Sequence, residues 1–181
     1  MNFWRRKSAV PAVQAVQLRG REQHPFTGLR GFTPQRSGEL RLYQAVREAV
    51  PVVDAAVCKL IRLSGGVQVS CEDAEMDGKM RQFLERVPVG RGQFGINAFL
   101  DMYLDALLTC GRAVGEMVPL RGGRDIAALL CGRVDNIEIR EGEHPLVFTI
   151  CGPDEQGRMA PLPYQDLLLF TPLNPEAENP Y

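Results

Sequence analysis

The stretch Asn97-Ala-Phe-Leu-Asp-Met-Tyr-Leu-Asp-Ala-Leu-Leu-Thr-Cys-Gly-Arg-Ala-Val-Gly-Glu-Met-Val-Pro119 sets a nearly all-apolar helix directly against a strand. Leu100, Tyr103, Leu104, Leu107 and Leu108 share one helical face, and Phe99, Met102 and Ala106 widen it. Only Asp101 and Asp105, four residues apart, interrupt the apolar surface. A helix wetted along so narrow a stripe is covered on most of its circumference, so it is a central packing element.

Its neighbours follow from periodicity. Leu40, Tyr43, Val46 and Val50 step by three and four, which predicts a helix from Glu39. Pro51 cannot extend that helix without a kink but suits the first turn of a new one. Val53, Val57, Leu60 and Ile61 form the apolar face of this second helix, which ends at Ser64-Gly65-Gly66. Val67–Cys71 alternates as a short strand, with Val67, Val69 and Cys71 on one side. The acidic run Glu72-Asp-Ala-Glu75 favours the start of a third helix, carrying Met76, Met80, Phe83 and Leu84 and stopping before Pro88. Residues 89–95 read as a glycine-bearing loop. After Gly111 the period changes to two, with strands expected at 113–118, 126–130, 134–140, 146–151 and 166–171. Helices first and strands afterwards predict an α+β class with a mainly antiparallel sheet over residues 39–181. Residues 1–38, broken by Gly20, Pro25, Gly28, Gly31 and Pro34, read as a flexible basic arm.

The 181-residue chain is long enough to bury a substantial core. No apolar run approaches the ~20 residues that span a bilayer, so no membrane partner is expected. The basic N-terminus lacks the apolar segment of a secretory signal. Five scattered cysteines (58, 71, 110, 131 and 151) with no CxxC pair, beside only His24 and His144, lack the spacing of a zinc site and read as free, buried thiols.

Candidate chemistry is sparse. Gly90-Arg-Gly-Gln-Phe-Gly95 satisfies G-x-G-x-x-G ahead of a helix, but it follows a helix and Pro88 rather than a strand, so a phosphate cradle is not expected there. Asp101 and Asp105 could serve as paired carboxylates only if burial or crowding separated their pKa values, and they read instead as the wet edge of the helix. Neither Cys58 nor Cys110 has a recognisable histidine partner, and His144 lies in the turn Glu141–Pro145. No catalytic, cofactor-binding or metal-ligating residue is therefore assigned. A hydrolase or transferase using Asp101, Asp105 or a cysteine remains the third-ranked reading, and the chain is not expected to be an enzyme.

Charge is distributed unevenly. Residues 1–47 carry nine basic side chains against Glu22 and Glu39, and the remainder carries 12 basic against 20 acidic. A basic arm on an acidic body suits nucleic acid or an acidic protein neighbour. Arg5, Arg6, Lys7, Arg19 and Arg21 are the candidate contacts. The arm lacks the aromatic interleaving of a single-strand binder.

Taken in order, these segments resemble the N-terminal part of tailed-bacteriophage (prophage) portal proteins. The helix pair Tyr43–Leu63, passing a proline into Val53-Asp-Ala-Ala-Val57, looks like the kinked portal helix, and the short strand expected from Gly66 follows in the same order. Leu107-Leu-Thr-Cys-Gly-Arg-Ala-Val-Gly-Glu-Met117 is similar to the portal "D-x-L-x-x-G-x-A-Y/V-x-E" passage. Asp135-Asn-Ile-Glu-Ile-Arg140 resembles the "P-x-x-V-x-I/V-R" strand, and Leu162–Tyr181 the run that ends in "n-p-y-G-x-S". Asp135 stands where the family often has proline, and Cys110 where tyrosine is common. The resemblance spans residues 40–181.

What the resemblance implies is a structural component of the head-tail connector, working without a cofactor. Its partners would be other portal subunits in a ring, usually of twelve, together with double-stranded DNA, terminase, and capsid or scaffold protein. Its location would be the virion, after assembly in the cytoplasm of the bacterial host. It also implies that residues 39–181 are a wing-like domain stopping before stem and clip, and hence a chain that is monomeric or weakly associated. The alternative is a nucleic-acid-binding module acting through the basic arm.

If the five named arm cations contact duplex DNA, log Kobs should fall with log salt at a slope of about −4 to −5. A salt titration of DNA binding measures this, and binding that is absent or independent of salt assigns the arm to a protein contact.

Overall fold

Two glycines bracket the central helix. The computed structural model describes residues 38–90, 92–123, 125–141 and 147–173. Within it, helix α4 (Ile96–Cys110) starts after Gly95, at φ 93°, and stops at Gly111, at φ 72°. Both backbones are left-handed, where a side chain would be strained. At Gly95 a Cβ would also lie 3.2 Å from the Glu85 carbonyl oxygen. Gly111 donates its N–H to the Leu107 carbonyl and accepts from the Leu173 N–H at 2.8 Å, so the helix end is tied to the last described strand.

Three helices precede α4. Helix α1 (Gly38–Ala49) meets α2 (Pro51–Ser64) at Val50, which is extended, and Pro51 occupies the first turn of α2. Helix α3 (Ala74–Arg86) is capped by Asp73, whose carboxylate accepts from the N–H groups of Glu75 and Met76. The acidic run thus starts this helix as expected. Between α2 and α3 the expected strand at Val67–Cys71 is absent from every ladder. Its alternation is real, but Val67 and Val69 are exposed, and its backbone is held by side chains instead. Asn97 accepts from the Val67 N–H at 3.1 Å and Asp77 from the Cys71 N–H at 3.0 Å.

The segment read as a glycine loop is a small hairpin, β1 (Pro88–Gly90) with β2 (Gln93–Phe94). Strand β3 (Arg112–Pro119) is the centre of an antiparallel sheet with the order β4-β3-β8, flanked by β4 (Ile126–Cys131) and β8 (Leu168–Pro172). A second antiparallel sheet has the order β5-β6-β7, built from β5 (Glu138–Glu141), β6 (Phe148–Pro153) and β7 (Met159–Pro161). Helices followed by antiparallel strands make the class α+β, as the periodicity predicts. The expected strands at 134–140 and 166–171 each begin one 3-10 turn late, after Val134–Asn136 and Gln165–Leu167.

Strand β3 feeds two cores because its alternate side chains point to opposite faces. Towards α4, Ala113 and Leu129 pack with Phe99, Tyr103, Val87 and Val89. Towards the second sheet, Val114 packs with Val134, Ile137, Ile150 and Leu162. Phe148 and Phe170 meet edge-on at 5.4 Å along the margin of this second core. Gln165 completes it: its amide accepts from the Ile150 N–H and donates to the carbonyls of Ile150 and Leu162.

Backbone and rings approach closely at Gly115 of β3. A Cβ there would sit 3.1 Å from the Leu130 carbonyl, 3.2 Å from Phe99 and 3.3 Å from Tyr103. Gly115→Val should therefore force α4 off the sheet and cost about 3 kcal/mol, and Gly115→Ala about 1–2 kcal/mol. Urea midpoints at unchanged m-value measure the effect.

Candidate functional site

The densest set of charged side chains among the described residues lies where α1, α2 and α4 meet. Arg47, near the end of α1, is turned inward, with only 17% of its side chain exposed. Its Nε and Nη2 donate to one oxygen of Asp54, at 3.0 and 2.6 Å. Its Nη1 donates to Asp105 at 2.7 Å and to the Thr109 hydroxyl at 2.5 Å. One guanidinium thus bridges three helices, using the fixed fork that suits arginine to this role. Burial opposes the charge, but the two carboxylates prevail and hold the Arg47 pKa above its ordinary value.

Around this cluster runs an open groove of about 970 Å³, whose walls include Gln44, Glu48, Cys58, Lys59 and Arg62. Both signs of charge alternate along it, so it presents no single-sign field to a ligand. The arrangement can bind helices to one another. Within it the Cys58 thiol donates to the second oxygen of Asp54 at 3.9 Å, a carboxylate already engaged by Arg47.

The two aspartates of the central helix have separate surroundings. Asp105 belongs to Arg47, whereas Asp101 is solvent-exposed beside Gly65. Arg47, which composition places among the basic residues of the N-terminal 47, is folded into the body and matched by carboxylates. The excess charge of the arm rests instead on residues 1–37, with seven basic side chains against Glu22. Arg5, Arg6, Lys7, Arg19 and Arg21 lie outside the described residues, as do His24 and His144.

G-x-G-x-x-G has a mechanical use here. Gly90, Gly92 and Gly95 all have positive φ and turn the hairpin into α4. Among the described residues, no three His, Cys, Asp or Glu side chains are grouped to hold a metal ion, and no helix is long and apolar enough to cross a membrane.

All five cysteines are unpaired; Cys151 is buried and the others are half-buried. Burial raises the Cys110 thiol pKa, and the nearby Asp135 and Asp105 push it further. Burial likewise raises Cys151. The Cys131 thiol is pushed up to about 12, and its proton points to the Phe99 carbonyl at 3.7 Å. These thiols are held in the protonated form, the opposite of what a cysteine nucleophile requires. Tyr103 is similarly kept protonated by burial, and its hydroxyl reaches Thr171 at 3.0 Å, joining α4 to β8.

The signal missed in the sequence is the Arg47–Asp54–Asp105 set. Its members lie 7 and 58 residues from Arg47, and no short motif marks them. No protein-family model matches the chain, and no curated protein and no solved structure matches it.

The cysteine environment makes stability depend on pH with a definite sign. A folded-state thiol pKa raised above its ordinary value of 9.0 stabilises the fold fully below pH 9, and that contribution disappears as pH rises towards 12. Unfolding free energy should fall above pH 9 by up to about 1.4 kcal/mol per pH unit from Cys131. Cys131→Ala should remove that part of the slope, as read from urea unfolding at pH 8, 9 and 10.

Proposed function

We propose that this chain is the wing-like region of a portal, the ring at one capsid vertex through which double-stranded DNA is packaged and ejected. The observation that carries the reading is the passage from α4 through Gly111 into β3. The residues that most resemble the portal pattern, 107–117, form the junction between the covered helix and the central strand. A helix pair bent at Pro51 precedes it and antiparallel strands follow it, which suits the order of the resembling segments. In this role the domain does no covalent chemistry. It supplies a rigid body that meets capsid or scaffold protein while other parts of the portal surround the duplex, and terminase drives the DNA through. The thiols of Cys110, Cys131 and Cys151, held protonated by burial, suit a part whose work is mechanical.

The alternative, a nucleic-acid-binding module, is favoured by one feature, the seven basic side chains within residues 1–37. The two readings part over location. Gold-labelled antibody raised against this chain should mark a single vertex of phage particles released from the host that carries the gene. Particles without label, or labelled over the whole shell, would overturn the portal reading. In solution the 181-residue chain should scatter light as a monomer or a weak associate, and a stable twelve-subunit ring would overturn that expectation.

A further inference from the structure

The helix α1 is turned against its own amphipathic pattern. The stripe that periodicity assigns to the core is Leu40, Tyr43, Val46 and Val50, yet only Leu40 is buried, at 5% exposure. Tyr43 is 44% exposed, Val46 37%, Val50 38%, and Leu42 beside them 59%. The side chains that α1 sends inward with Leu40 are polar: Gln44, half-buried, and Arg47. Its link to α4 runs through the Arg47 guanidinium to Asp105 and Thr109, and the same group ties it to Asp54 of α2. Across α1 and α2 together only Leu40 and Ile61 are fully buried, with Val53 and Val57 of α2 half-buried. By contrast, α4 sets Phe99 and Tyr103 into a closed apolar core.

We propose that α1 is a releasable strap, held on α2 and α4 by the Arg47 charge bridge and freed as a unit ahead of the rest of the fold. Both carboxylates of the bridge are 48% exposed, so added salt weakens it, whereas the apolar contacts that hold α4 to the sheets are indifferent to salt of this kind. Release also exposes Leu40, the one buried residue of the apolar stripe. Among the described residues the attachment of α1 to both neighbouring helices runs through the Arg47 bridge, and elements held mainly by polar contacts lie towards the low-stability end of a domain, where moving elements are found. This inference stands apart from the portal reading, because it rests only on how α1 is attached.

Amide hydrogen exchange of the full chain tests it, with α1 (residues 41–49), α4 (98–108) and β3 (113–118) read separately. Raising NaCl from about 20 to about 500 mM should lower α1 protection roughly three-fold and leave α4 and β3 unchanged. Arg47→Met at low salt should lower α1 protection about five-fold and abolish its salt dependence. Protection of α1 that ignores both salt and substitution overturns the strap. So does a loss of protection shared equally by α1, α4 and β3, including a global collapse of the variant, because α1 would then be part of the cooperative core.

Discussion

The close approach of α4 to β3 is the constraint on which the other packing depends. Gly111 reverses the chain through a left-handed backbone, so strand β3 returns beneath the helix it has just left. Gly115 then removes the side chain that would hold the two apart, and the rings of Phe99 and Tyr103 come to rest on bare backbone. Those rings stack on each other with centroids 5.4 Å apart. Because β3 is the central strand of its sheet, this contact also fixes where β4 and β8 stand, and Val114 on its other face seeds the contact with the second sheet. Two apolar cores are thus organised by one strand whose faces are used equally.

Charge does a different task at the periphery. Buried arginine is tolerated only when its donors are matched, and Arg47 achieves this with two carboxylates and a hydroxyl from three helices. The result orients α1 without deep apolar burial, and the apolar stripe of α1 is left facing solvent. Burial keeps the thiols of Cys110, Cys131 and Cys151 and the Tyr103 hydroxyl protonated.

The central helix, its glycine end and the change to strands were legible because apolar period and left-handed glycine are local properties of the chain. The start of α3 at the acidic run 72–75 and the helix break at Pro51 were legible for the same reason. The strand expected at Val67–Cys71 shows the limit. Its alternation is that of a strand, but a strand exists only when another backbone pairs with it, and here Asn97 and Asp77 take its N–H groups. The hairpin at 88–94 and the short strand β7 escaped for the converse reason, since three residues or fewer carry no readable period. Of the candidate site, the Arg47 bridge was not legible, because its partners are brought together by tertiary packing.

By itself the sequence determined the class, the four helices and the central role of residues 97–119, since these follow from periodicity, proline and glycine acting within a few residues. Tertiary structure alone decided which way α1 faces. Its amphipathic stripe called for burial, but the pairing of one guanidinium with carboxylates from α2 and α4 turned the helix about its axis. Side-chain spacing along one helix says which residues share a face, and only the neighbouring helices say whether that face is the one covered.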